Sequence, residues 1–224
     1  NGHTLQIISG GVLTTTPAIT SNSINTIGLA GIGTGTGTML IDGANSRWDA
    51  GNAGVRVGNG ATGTLTVSNG GVLNMTNGLL SVGLNASGKG TLNINGGTVT
   101  NPAAAIRLGF NGATGELNIT NGGSLTTTML NHIGQTDVAG AGKGIVNISG
   151  AGSIWTISAG TPGASGNLAL GRGAGAEGTI TISNGGKMVY RSADQGAPAF
   201  GYQGGTGAMT VRGTGSLFDT ATGL

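Results

Sequence analysis

The chain has 224 residues, of which 50 are glycine, 7% are charged and 3% are aromatic, and its formal net charge is +2. Glycine far above its ordinary usage of about 7%, with no Gly-X-Y period and only four prolines, excludes a collagen helix, and the low charge excludes the highly charged kind of disorder. The absence of cysteine excludes a disulfide scaffold and thiolate metal sites. The nine basic residues do not cluster as a nucleic-acid surface would require, and no apolar run is long enough for a transmembrane helix.

In chain order, the first element is the partial strand from Thr4, and versions of it recur to the end. Seven glycines, Gly37, Gly63, Gly90, Gly115, Gly144, Gly178 and Gly207, each precede a strand of period-2 character. Its inward pairs are Leu5/Ile7, Met39/Ile41, Leu65/Val67, Leu92/Ile94, Leu117/Ile119, Val146/Ile148, Ile180/Ile182 and Met209/Val211. All are aliphatic, as a stacked ladder requires.

A turn and a middle strand follow in each copy. In five copies the turn ends in NGG or GG and an aliphatic residue follows (Leu13, Leu73, Val99, Leu125, Met188). In three it is longer and ends in Ser-x-aromatic: GANSRW, GAGSIW and GTGSLF, delivering Trp48, Trp155 and Phe218. An extra turn residue accompanies each larger side chain. This reads as a local widening of the coil around a core ring, with ligand stacking as the alternative.

The third strand reads NTIG, VRVG, LSVG, IRLG, NHIG, LALG and PAFG, starting at Asn25, Val55, Leu80, Ile106, Asn131, Leu168 and Pro198. Its last glycine marks a corner into a small-residue loop, where the length differences between copies are expected to fall. Three short strands and three turns per copy, repeated about every 27 residues in a unit such as 63–90, predict an all-β fold. The expected architecture is a right-handed, single-stranded parallel β-helix of about seven to eight coils. It forms one segment over 1–224, roughly 35–40 Å long at the usual strand spacing.

The units GTLTVSNGG and GAGSIWTIS resemble the type V secretion and PEP-CTERM-associated repeats of bacterial autotransporter passengers, over nearly the whole chain. The resemblance implies a parallel β-helix displayed on the bacterial surface or secreted, often in adhesins. The family's outer-membrane barrel has no counterpart here. The chain therefore reads as a fragment of a longer passenger, reaching the outer membrane only through a C-terminal barrel outside this sequence. No catalytic residue carries over.

The acids Asp42, Asp49, Glu116, Asp137, Glu177, Asp194 and Asp219 fall at different places in their copies. Asp42 aligns with Ser68, Asn95 and Thr120, and Glu116 with Thr91 and Ile145, so no two-carboxylate site for cutting polysaccharide is expected. An enzyme, a cofactor and a metal are not expected. The outward position of the third strand gives the row Thr26, Arg56, Ser81, Arg107, His132, Ala169 and Ala199. Arg56, Arg107 and His132 are the candidate ligand-binding residues, a shallow basic stripe for an anionic glycan or acidic surface. The plainer reading is an ordinary polar strand exterior with a solvated histidine. On the first strand, Thr and Asn rows suggest amide ladders and a route to self-association. Expected partners are a host surface or matrix molecule, a glycan, or another copy of the chain, and no nucleic acid. The function expected is adhesion or self-association, with a spacer as the alternative and a polysaccharide-active enzyme further behind.

Overall fold

The computed structural model describes residues 2–15, 24–30, 35–101, 105–128, 130–137, 140–158, 168–191 and 197–220. They form three parallel sheets of eight, eight and seven strands, and no helix occurs among them. Each coil gives one strand to each sheet in turn. Coils 1 to 8 open with Gly2–Ile8, Thr36–Asp42, Thr62–Ser68, Lys89–Asn95, Thr114–Thr120, Lys143–Ser149, Glu177–Ser183 and Thr206–Arg212, which pair in that order. The protein is a parallel β-solenoid.

The register follows the aliphatic ladder. Leu92 pairs with Leu65 and Leu117, and Ile94 with Val67 and Ile119. From Leu65 to Ile148 these first-strand residues are fully buried, each worth roughly 1.5–3 kcal/mol of transfer free energy. At the end coils the same positions face solvent on one side: Leu5 is 50% and Val211 44% exposed. The ladder is thus stabilised by neighbours above and below, as in any quasi-one-dimensional stack.

The aromatic copies share the inward row of the aliphatic ones. Trp48 pairs with Leu13 and Leu73, and Trp155 with Leu125 and Met188. The extra residue is absorbed in the turn, and the ladder resumes at once with Arg47 opposite Val12 and Val72. Both indoles fill the core and their N–H groups donate to threonines of the preceding coil, Trp48 to Thr15 Oγ1 at 3.1 Å and Trp155 to Thr127 Oγ1 at 2.9 Å.

The longer turns fall in coils 2, 6 and 8, each directly after a coil with a short turn. In coil 3, Asn69 and Gly70 have φ of 50° and 84°, and the Gly71 amide donates to Ser68 O at 2.8 Å; this is the double positive-φ turn that Asn-Gly favours. The serine of each longer turn accepts from the glycine amide of the short turn before it: Ser46 from Gly10, Ser153 from Gly122 and Ser216 from Gly185, at 3.0, 3.1 and 3.1 Å. Even coils are then held from the other side. Asp42 accepts from Ser68 Oγ at 2.6 Å and Asn69 Nδ2 at 2.8 Å, and Ser149 from Ser183 and Asn184.

The length differences do not fall mainly after the third strand. That connection runs from two residues (60–61) to seven (136–142), whereas the second-to-third connection runs from two (52–53) to ten (158–167). The third-strand corner is pinned. Gly83 has φ +71° and a Cβ there would lie 2.1 Å from Thr114 O, where the first strand of coil 5 begins, so insertions are tolerated more readily at the other corner.

Candidate third-sheet ligand face

The outward row of the third sheet stands as expected: Thr26 pairs with Arg56, Arg56 with Ser81, Ser81 with Arg107, Arg107 with His132, and His132 with Ala169. Arg56 and Arg107 are therefore two strand spacings apart, about 10 Å. Both are partly exposed, and Ser81 between them is buried.

A second outward row lies three residues further on: Leu29, Asn59, Leu84, Phe110, Gln135, Arg172 and Tyr202, paired in that order. The positive-φ corner glycines create it. Strict alternation would send these side chains to the two sides in turn. The left-handed residue between, such as Gly109 at φ +64°, returns the chain so that both rows meet on one side. Arg107 accordingly lies over the Phe110 ring, 5.0 Å from its centroid, a cation–π contact that holds the guanidinium flat.

His132 is not solvated. It is 3% exposed, because Gly134 turns Gln135 back over the ring. Gln135 Nε2 donates to Asp137 Oδ1 at 2.8 Å, so its Oε1 is the acceptor for His132 Nδ1 at 2.6 Å, and the neutral ring carries its proton on Nδ1. Nε2 is left as a buried acceptor without a partner among the described residues. Burial, above all, lowers the His132 pKa from 6.5 to about 4; the Gln135 hydrogen bond and Asp137 oppose this, and Arg172 and Arg107 add to it. Burial lowers the Arg107 pKa as well, but a guanidinium stays charged in a protein. Asp137 receives the Asn111 side chain at its backbone amide, Asn111 Oδ1 accepting at 2.9 Å, and faces Arg172 NH1 at 3.5 Å.

Of the three candidate residues, the fold thus places Arg56 and Arg107 on an accessible face and buries His132. Sequence reasoning missed Phe110, Gln135, Asp137 and Arg172. Reading three residues on from each outward position, past the corner glycine, would have found all but Asp137, which lies in a loop.

Among the described residues the carboxylates stand at separate places in the coils, and Asp194 lies outside the described residues. Asp42 pairs with Ser68, and Glu116 with Thr91 and Ile145. No group of three or more His, Asp or Glu side chains suited to a metal occurs among the described residues. The first-sheet exterior carries the expected ladder, Asn118 Nδ2 donating to Asn93 Oδ1 at 3.1 Å and Asn147 Nδ2 to Asn118 Oδ1 at 2.9 Å. No family model, curated protein or solved structure matches the chain.

Proposed function

We propose that this solenoid is an adhesive passenger segment of a bacterial autotransporter, displayed at the cell surface or secreted, that binds host or matrix molecules or further copies of itself. The repeat resemblance supports the secretion route. The observation that carries the adhesive reading is the asymmetry of the exterior: the first sheet ties its Thr66–Asn93–Asn118–Asn147 row into its own hydrogen-bonded ladder, whereas the third sheet presents Arg56, Arg107 and Phe110 on one rigid face. Stacking sets Arg56 and Arg107 two coils apart along the axis, so weak contacts to one extended partner add through multivalency.

Beads coated with the protein should adhere to host cells, to matrix or to one another, and the double change Arg56→Ala and Arg107→Ala should reduce that adhesion. Absence of adhesion in every format overturns this reading. The alternative is then a spacer that carries a binding site elsewhere in a longer protein, a reading favoured by the burial of Ser81 and His132 in the candidate row.

A further inference from the structure

The cations of the third-sheet face recur on alternate coils. Arg56 belongs to coil 2, Arg107 to coil 4 and Arg172 to coil 6, while the odd coils between them offer Ser81 and the neutral His132. Successive guanidinium positions are therefore separated by two strand spacings along the axis, about 10 Å, with Arg172 displaced into the second row. Arg56 and Arg107 have no carboxylate within ion-pairing distance among the described residues, and Arg172 shares Asp137 only at 3.5 Å. Phe110 lies beneath Arg107, and Tyr202, 42% exposed, continues the second row in coil 7.

The geometry points to a linear acidic polysaccharide as the ligand of this face, lying along the solenoid axis with an anionic group on every second sugar. Two pyranose rings separate such groups, a distance comparable to two coils. Planar guanidinium forks match carboxylate and sulfate in a bidentate way, Phe110 holds the Arg107 fork flat from beneath, and the exposed Tyr202 ring offers flat apolar area to a sugar ring. Duplex DNA fits poorly, since each of its strands carries a phosphate every ~3.4 Å of helix axis and only three arginines stand in the stripe. This inference names the ligand class for the adhesive reading above and rests on it.

The test measures binding of the whole chain to hyaluronan oligosaccharides, which carry a carboxylate on alternate sugars, beside neutral dextran, poly-glutamate and duplex DNA. Hyaluronan binding is expected to weaken with added salt and to fall about tenfold or more in Arg56→Ala and in Arg107→Ala. Dextran should not bind, and Glu116→Gln on the first sheet should change nothing. The arginine variants should keep the wild-type circular dichroism and melting temperature, because neither side chain enters the core. Loss of binding together with a lowered melting temperature is resolved by Arg107→Lys, which keeps the charge but not the fork and should recover only part of the affinity; full recovery overturns the bidentate assignment. Equal or tighter binding of poly-glutamate or DNA overturns the polysaccharide assignment, as does hyaluronan binding unchanged in both arginine variants. If the coated beads still adhere to cells in those cases, the ligand class alone has failed; if they adhere to nothing, the adhesive reading has failed with it.

Discussion

The indole N–H of Trp155 donates to Thr127 Oγ1 at 2.9 Å, from one coil to the coil before it, with both residues fully buried. A large side chain thus enters a narrow aliphatic core without leaving its polar atom unpaired. Thr127→Val keeps the volume but strands the N–H, and should cost about 1–3 kcal/mol in urea unfolding. Adding Trp155→Phe to that variant removes the stranded donor, so the double change should cost less than the two single costs summed. Strict additivity would show that the hydrogen bond is not what couples the two coils.

Ser153 is the corresponding device in the turn, itself fully buried. Its hydroxyl accepts from the Gly122 amide at 3.1 Å and donates to Ser149 O at 2.8 Å, so it secures its own turn and the one before. Ser153→Ala should destabilise by about 1 kcal/mol and speed amide hydrogen exchange at Gly122 in particular. Unchanged protection of that amide would remove the serine from the coil-to-coil linkage.

These two contacts show how far the sequence could be read. The inward ladder was legible because apolar residues at period 2 have one plausible destination, and Leu92, Ile94 and their equivalents pair just as their spacing implies. The row from Arg56 through His132 was legible for the same reason. Its environment was not. Alternation predicts which way a side chain points, but burial of His132 depends on Gln135, three residues on, and that contact exists only because Gly134 takes a positive φ of 73°. The serine of the Ser-x-aromatic element was visible as a repeated letter, yet its partner is an amide of another coil, which no local pattern can supply.

The core ladder should reject charge far more strongly than the exterior one. Ile94 is fully buried between Val67 and Ile119, and Ile94→Asp would place an unpaired carboxylate there, at a cost of several kcal/mol. Asn93, next in sequence, points outward and belongs to the amide ladder. Asn93→Asp keeps the oxygen that accepts from Asn118 and should cost less than about 1 kcal/mol. Thermal melting of the two variants checks the register directly, since a one-residue shift would reverse the order.

Two corner glycines separate steric from conformational demand. Gly83 and Gly122 have similar φ, +71° and +78°, but a Cβ on Gly83 would lie 2.1 Å from Thr114 O, whereas nothing lies within 4 Å of one on Gly122. Gly122→Ala should cost only the left-handed strain, about 1–2 kcal/mol. Gly83→Ala must also displace the backbone at Thr114 and Gly115 and should cost about 3 kcal/mol or more. Comparable losses in urea unfolding would mean that the corner can yield.

His132 makes stability depend on pH. Its neutral form is favoured in the fold, where the pKa is about 4, against 6.5 in the unfolded chain. Above pH 6.5 neither state is protonated there and its contribution is complete. As pH falls from 6.5 towards 4 the unfolded chain takes up a proton that the folded chain refuses, so stability declines through that window. The full difference corresponds to roughly 3 kcal/mol. Protonation would put a second donor on Nε2, which has no acceptor among the described residues, beside Arg107 and Arg172 and with Asp137 as the opposing charge. Asp42 behaves separately: hydrogen bonds from Ser68 and Asn69 lower its pKa below 3.8, so its contribution is lost only as pH falls further. Urea unfolding near pH 7 and near pH 4.5 should show a clear drop for the wild type and a smaller one for His132→Gln, which cannot titrate. The same drop in both proteins would assign the acid sensitivity to other groups.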